Sequence, residues 1–209
     1  MSDVVNFPGT TPLFEVDPEM FDRIARVTPA PFGRILVNRS LDLVDTQRYR
    51  AVDAPLVIRQ FAPLILESMK FLESDLLEFD YDKRPALPRK VQRSGRWHFD
   101  SKAGGLIIGS TPDYEIQNAI VGMTVLPTMV ASGELPEDQE LIKVLNVRPR
   151  NPRGVIQDAA QQAVDAEELQ IEYAKVGWGS LLPGDAMHKG QPNLSEEPIP
   201  RGFFRVKEV

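Results

Sequence analysis

Short apolar and β-branched runs dominate the second half of the chain, and turn-forming residues separate several of them. Such runs predict β-strands. The predicted strands cover residues 104–108, 116–126, 141–147, 169–176, 178–182 and 203–206. A segment rich in Gln, Ala and Asp, residues 155–166, predicts an inserted helix instead. Many short strands with turns between them are typical of a sandwich or barrel, the class that includes jelly rolls.

The first half of the chain shows helical patterns instead. Residues 17–19 combine an acid, a proline and a second acid, which is a helix start, and a helix is expected over 19–26. Residues 34–38 predict a short strand. From residue 54 to 77 apolar residues recur at helical spacing, and Pro63 is expected to break or kink that segment. These helices are expected to support one face of a sheet.

Length and composition are those of a single globular domain. The chain has 209 residues, of which 42% are hydrophobic and 26% charged. We expect one domain over 1–209, with a helical support region over 1–80 and a β-rich core over 89–206. No apolar stretch approaches the roughly 20 residues that span a bilayer, and the N-terminus lacks a secretory pattern. A cytoplasmic protein is therefore expected.

The charged and metal-binding residues restrict the possible functions. The chain contains no cysteine, so a metal ion would need His, Asp, Glu or backbone ligands. The net charge of −6 disfavours a nucleic-acid partner. A basic stretch over 83–96 is either a solvated loop or a patch that steers an anionic substrate or cosubstrate. The oligomeric state cannot be read from the sequence.

The chain has only two histidines, and each lies in a distinctive setting. His98 opens a His-x-Asp triplet, and alternation along a strand would place His98 and Asp100 on the same face. His188 follows a Gly-Asp turn much later in the chain, and Arg201 lies beyond it. Two imidazoles and a carboxylate on one face of an octahedral ion are the ligands of non-haem Fe(II) oxygenases, and they leave about three positions open.

An arginine near such a site could bind a carboxylate through two parallel hydrogen bonds. Arg201 and Arg205 both qualify, because residues four apart in a strand share a face. Position alone does not decide between them.

The pattern His98-x-Asp100, His188, Arg201 in a β-rich region resembles the Fe(II)/2-oxoglutarate-dependent oxygenases. The segment 188–201 is most similar to phytanoyl-CoA-hydroxylase-like members, in which a Gly/Asn/Ser-rich stretch and an arginine follow the second His. Residues 178–185 resemble the apolar strand and Gly-Asp turn that precede that His. The resemblance covers roughly residues 89–206.

The resemblance implies a mainly β (α+β) fold with a double-stranded β-helix core, jelly-roll or cupin-like, and N-terminal supporting helices. It implies Fe(II) bound by His98, Asp100 and His188, and 2-oxoglutarate bound by an arginine of the last core strand. Arg201 is favoured over Arg205, since it lies where the apolar run starts. No further catalytic residue is predicted.

The implied reaction is hydroxylation of a small molecule, such as an amino acid or natural-product intermediate. It consumes O2 and 2-oxoglutarate and releases succinate and CO2. The carboxylate ligand Asp100 distinguishes the chain from related halogenases, which have a small residue at that position.

Two other functions fit the same residues. A cupin-like metalloenzyme would use the three ligands without 2-oxoglutarate, and neither arginine would then affect the binding of that compound. A non-enzymatic jelly-roll binding module would have incidental histidines and would bind no stoichiometric metal.

Overall fold

The structure is a computed structural model. It describes residues 4–17, 19–20, 32–45, 54–91, 95–99, 118–146 and 153–209.

Within these ranges the chain forms eleven strands and three helices. The strands are β1 (Val4–Phe7), β2 (Thr11–Glu15), β3 (Phe32–Asn38), β4 (Leu43–Asp45), β5 (Leu76–Asp82), β6 (Ala119–Met123), β7 (Met129–Pro136), β8 (Gln170–Tyr173), β9 (Trp178–Leu182), β10 (Met187–Lys189) and β11 (Phe203–Glu208). The helices are α1 (Ala54–Ser68), α2 (Glu140–Asn146) and α3 (Arg153–Asp165).

The strands form two antiparallel sheets. The larger sheet has the order β2-β9-β6-β11-β5-β3-β4, and the smaller has β1-β7-β10 with β8 also paired to β7. An isolated bridge between His98 and His188 adds the segment around residue 98 beside β10. Core segments thus alternate between the sheets along the chain, except that β7 and β8 follow one another in the smaller sheet. In the larger sheet β5, β11, β6 and β9 are neighbours, while the 98 segment, β10, β7 and β8 are neighbours in the smaller one. This arrangement is a double-stranded β-helix, or jelly roll, and confirms the predicted mainly β fold.

The outer face of the larger sheet packs on helix α1. Ile35, Phe79, Val206 and Ile120 are cross-strand neighbours on that face. They are buried in one apolar cluster with the inner side of α1, where the ring of Phe61 lies 4.5 Å from that of Phe79. Burial of these side chains is the main apolar contribution to holding the helix on the sheet.

Two further apolar clusters complete the core. One joins the smaller sheet to helices α2 and α3, and it contains Phe7, Trp97 and Leu141. The other, with Val121 and Phe203, lies between the two sheets. The outer faces of both sheets are therefore covered by helices, and the space between the sheets holds a smaller apolar cluster.

Most of the predicted elements that fall within the described residues are confirmed. Strand 178–182 has the predicted bounds, and the other confirmed strands lie within or overlap the predicted segments. The predicted start of the first helix is also confirmed, since the Asp17 carboxylate accepts a hydrogen bond from the backbone N–H of Glu19 at 2.9 Å. The predicted strand 104–108 and the rest of the first helix, residues 21–26, lie outside the described residues.

Two predictions are wrong. Residues 141–147 were predicted as a strand, but 140–146 form helix α2. Its buried residues Leu141, Ile142 and Leu145 have the spacing of one helical face, and a short run that is this apolar fits either structure. The helical segment 54–77 is also shorter than predicted, since α1 ends at Ser68 and β5 begins at Leu76.

Pro63 lies inside helix α1 and does not end it. The residue is on the exposed side of the helix, so water can serve the carbonyl group that proline leaves without its helical donor. Residues 1–80 also supply strands β1 to β4 and most of β5 in addition to α1. None of the helices in the described ranges combines the length and apolar character needed to cross a membrane.

Candidate active site

The two histidines lie side by side although they are far apart in the sequence. Each donates its backbone N–H to the carbonyl of the other, at 3.0 Å from His98 and 2.9 Å from His188. Their ring centroids are 4.3 Å apart, with 50° between the ring planes. The smaller sheet therefore places the two imidazoles close enough to serve a single ion.

Each imidazole is oriented by a backbone carbonyl of its own segment. The Nδ1 atom of His98 lies 2.9 Å from the carbonyl oxygen of Arg96, and that of His188 lies 2.9 Å from the carbonyl of Ala186. A carbonyl oxygen only accepts, so the Nδ1 atom in each ring must carry the proton. The lone pair of each neutral ring is then on Nε2, the atom that would bind a metal.

The third predicted ligand, Asp100, lies outside the described residues. Within the described ranges no group of three or more His, Asp or Glu side chains is placed to hold a metal ion. The structure thus brings together two of the three predicted ligands. Their donor set, two neutral imidazoles, suits iron, zinc, copper or nickel.

A cavity of about 240 Å³ opens beside the histidines, between the two sheets. Both imidazoles line it, together with apolar side chains that include Val121, Leu182 and Phe203. Three arginines also line it: Arg34, Arg201 and Arg205. The cavity therefore combines the histidine pair with strong hydrogen-bond donors for anions.

Arg201 lies just before strand β11 and is buried. Its Nε atom donates to the carbonyl of Val125 at 3.4 Å, and its guanidinium carbon is 5.3 Å from the centroid of the Phe203 ring. These contacts fix the stem and one side of the guanidinium at the cavity wall.

Arg205 is held by two buried carboxylates. Its Nη2 atom lies 2.5 Å from Asp80 and 3.3 Å from Glu78. Arg34 contacts the same two acids, with its Nε atom 2.7 Å from Asp80 and its Nη1 atom 3.3 Å from Glu78. The register explains the group, because Arg34, Asp80 and Arg205 lie directly opposite one another on strands β3, β5 and β11.

This charged network was not among the features predicted from the sequence. Its signal was the alternation in β5, where Glu78, Asp80 and Asp82 are separated by Phe79 and Tyr81. The alternation places the acids on one face and the aromatic rings on the other. The basic stretch 83–96 is partly paired as well, since Arg84 contacts Asp82 and the exposed Arg89 contacts Glu196, each at 2.6 Å.

Two ionisable groups flanking His188 have perturbed pKa values. Burial raises the pKa of Asp185, in the turn before β10, and is opposed by a hydrogen bond from its own backbone. Burial lowers the pKa of Lys189, and the nearby Asp165 opposes that shift. Both groups are partly shielded from water by the elements around the site.

No protein-family model and no curated protein matches the chain. Solved structures with a similar fold include the 2-oxoglutarate complex of EvdO2 from Micromonospora carbonacea var. aurantiaca, at 14% identity and a TM-score of 0.49, covering 99% of this chain and 93% of that one. The Kdo hydroxylase KdoO, a non-haem Fe(II) α-ketoglutarate-dependent dioxygenase, has 10% identity, a TM-score of 0.46 and coverage of 99% and 79%. The α-ketoglutarate-dependent carbocyclase SnoK from nogalamycin biosynthesis has 12% identity, a TM-score of 0.41 and coverage of 99% and 79%.

KdoO is a dioxygenase of the kind that the sequence resembles, and SnoK likewise depends on α-ketoglutarate. The narrower likeness to phytanoyl-CoA hydroxylases stays a prediction. The assignment of the double-stranded β-helix rests on the strand order of this chain.

Proposed function

We propose that this protein is an Fe(II)- and 2-oxoglutarate-dependent oxygenase that hydroxylates a small molecule. One observation carries the proposal: the only two histidines of the chain meet across a two-stranded bridge, and a backbone carbonyl lies 2.9 Å from each Nδ1 atom, which leaves Nε2 to ligate. A pair of incidental histidines would have no reason to share one cavity. The small-molecule substrate and the cytoplasmic location expected from the sequence are part of the proposal.

The site fits the iron centre that the sequence resemblance implies. His98 and His188 would supply two ligands, and Asp100, two residues after His98, would supply the third. When bound, iron and 2-oxoglutarate would together activate dioxygen for attack on a C–H bond. The protein would hold the ligands in place, position the substrate and limit the access of water.

Arg201 is the proposed partner of the distal carboxylate of 2-oxoglutarate. A guanidinium can grip a carboxylate through two charge-assisted hydrogen bonds. Arg205 lines the same cavity, but Asp80 and Glu78 already balance its charge. A ligand carboxylate placed there would meet two negative groups nearby, which favours Arg201.

The size and lining of the cavity support a small substrate. The cavity of about 240 Å³ would hold 2-oxoglutarate beside Arg201 as well as the substrate, which favours a compact substrate. The apolar side chains Val121, Leu182 and Phe203 could pack on its hydrocarbon part. A free amino acid or a natural-product intermediate fits these features.

The test is the conversion of 2-oxoglutarate to succinate by the purified protein. We expect turnover that requires added Fe(II) and that increases with the correct substrate from a panel of small molecules. His188→Ala should abolish it, because one metal ligand is lost. Iron-loaded protein that neither binds 2-oxoglutarate nor produces succinate with any member of the panel would contradict the proposal.

A second experiment distinguishes the proposed oxygenase from a metalloenzyme that does not use 2-oxoglutarate. The variants Arg201→Met and Arg205→Met are compared with the unchanged protein for 2-oxoglutarate binding. If the double variant binds 2-oxoglutarate as tightly as the unchanged protein, the cosubstrate role is wrong.

A further inference from the structure

The residues next to the two histidines meet at a single atom on helix α3. The indole N–H of Trp97 donates to the side-chain carbonyl oxygen of Gln161 at 3.1 Å, and the ammonium of Lys189 donates to the same oxygen at 3.0 Å. The Lys189 nitrogen also lies 4.4 Å from the centroid of the Trp97 ring. Gln161 therefore bridges the two segments that carry His98 and His188.

The bridge lies on the reverse side of the candidate metal site. Because His98 and His188 are directly opposite in an antiparallel bridge, Trp97 is opposite Lys189. Neighbouring residues in an extended chain point to opposite faces. The histidines thus face the cavity, while Trp97 and Lys189 face helix α3.

The orientation of the Gln161 amide is determined by its partners. Trp97 and Lys189 can only donate, so the atom between them must be the amide oxygen. The amide nitrogen donates to Asp165, one turn later in the helix, at 2.7 Å. Both ends of the amide are therefore engaged, and its rotation is restricted.

The positions of the two imidazoles depend on how the segments that carry them are held. Each Nδ1 atom is bonded to a carbonyl of its own segment, so each ring follows the backbone that carries it. The distance between the two Nε2 atoms therefore depends on how the two segments are held relative to each other. Two backbone hydrogen bonds hold them on one side, and the Gln161 bridge holds them on the other.

We infer that Gln161 is a positioning residue for the metal site, which clamps the two histidine-bearing segments through Trp97 and Lys189. The inference rests on the proposed function, because it takes the histidine pair as metal ligands. Outer partners of metal ligands typically change metal affinity by about 10–100-fold when they are replaced. Gln161 contacts the residues next to the histidines and not the histidines themselves. We therefore expect a loss of metal affinity of about tenfold, at the lower end of this range.

The probe is Mn(II) alone, titrated into metal-free protein and followed by the loss of the free-ion electron paramagnetic resonance signal. Gln161→Met keeps the length of the side chain but removes the acceptor, and should weaken Mn(II) binding about tenfold. Gln161→Glu combined with Asp165→Asn keeps an acceptor for both donors and avoids two adjacent carboxylates. This double variant should bind Mn(II) within about threefold of the unchanged protein.

Gln157 provides the matched control. It lies one turn earlier on the same helix and accepts a hydrogen bond at 3.1 Å from the exposed side chain of Arg96, next to Trp97. Gln157→Met should leave Mn(II) affinity unchanged. The melting temperature of every variant is measured without metal, so that a loss of stability is separated from a loss of metal affinity.

If Gln161→Met lowers the melting temperature but binds Mn(II) like the unchanged protein, Gln161 is only structural and the inference is wrong. Equal losses of affinity in the Gln157 and Gln161 variants would also overturn it. If Gln161→Met does not fold, Trp97→Phe removes one donor and keeps a six-membered aromatic ring; affinity lowered about threefold supports the clamp, and unchanged affinity contradicts it. A His188→Ala variant that binds Mn(II) normally would instead contradict the proposed function itself.

Discussion

Alternate residues of the same strands form the two faces of the larger sheet. The outer face is apolar, whereas the inner face also carries charged side chains. On the outer face Phe79 and Val206 are buried against helix α1. On the inner face their chain neighbours Asp80 and Arg205 form a buried ionic network beside the cavity. The outer face thus supplies apolar burial for the fold, while the inner face combines a smaller apolar cluster with the charged groups beside the cavity.

Burial of charged groups on the inner face costs hydration free energy, which burial of the apolar outer face does not. Charged groups lose hydration when they are buried, and their attraction offsets this loss only when the pairing is good. Arg34 and Arg205 share Asp80 and Glu78, so each acid has more than one partner. We interpret the network as a support that keeps the inner wall polar and ordered at some expense in stability.

The largest expected effect is on the outer face. Phe79→Ala should lower the free energy of unfolding by about 3–5 kcal/mol, because it removes a fully buried ring from the contact with α1. Urea unfolding measures this change. A loss below about 1 kcal/mol would show that the outer face is not a close-packed core.

On the inner face, Asp80→Asn should lower the free energy of unfolding by about 3 kcal/mol, since it leaves two arginines with one buried acid between them. The control is Asp82→Asn on the same strand. Asp82 is buried as well, but its partner Arg84 is 46% exposed and can regain water, so a smaller change than for Asp80→Asn is expected. Equal effects in the two variants would contradict the special role of the network.

The two candidate cosubstrate arginines should behave differently. Arg201→Met should weaken 2-oxoglutarate binding about 10–100-fold, which corresponds to a lost charge-assisted interaction of about 1.5–3 kcal/mol. Arg205→Met should mainly reduce stability, because it leaves Glu78 and Asp80 with fewer partners. Isothermal titration in the presence of Mn(II) measures the affinity for 2-oxoglutarate, and urea unfolding measures the stability of each variant. If Arg205→Met loses affinity and Arg201→Met loses stability, Arg205 is the residue that binds 2-oxoglutarate.

The smallest effect concerns the turn before His188. Burial raises the pKa of Asp185 above its usual 3.8, so the folded protein holds this proton more tightly than the unfolded chain. The contribution of Asp185 to stability therefore falls as pH rises from the unfolded towards the folded pKa. Asp185→Asn keeps a turn-forming residue and removes this dependence.

The measurement for Asp185 is urea unfolding of both proteins near pH 3 and pH 7. Relative to the unchanged protein, Asp185→Asn should be more stable at pH 7 than at pH 3. A stability difference between the two proteins that is constant with pH, or that changes in the opposite direction, would contradict the assignment.

Sequence patterns predicted the features that depend on local order. The alternating and apolar runs identified β9 and β11, and the residue types at 98, 188 and 201 singled out three side chains that line one cavity. The mistaken strand at α2 arose because a run of seven residues carries too little periodicity to separate the two structures. Local pattern thus indicates where a buried element lies, but in a short apolar run it does not separate helix from strand.

The features that sequence patterns missed depend on contacts across the fold. Arg205 could be recognised as a candidate, but its pairing with Asp80 requires the register between β11 and β5. Gln161 gave no signal, because a glutamine on a helix is usually solvated and its role follows from where α3 packs. Predicting such contacts requires the strand order and the packing of the helices.

The central claim is that both histidines bind one divalent ion. Because the chain has only two histidines, a protein labelled with ¹⁵N in histidine alone reports on these two rings and nothing else. Pulsed electron paramagnetic resonance of the Mn(II)-loaded protein should detect two strongly coupled, metal-bound imidazole nitrogens, and one after His98→Ala. Detection of no coupled nitrogen, or of a single one in the unchanged protein, would contradict the claim.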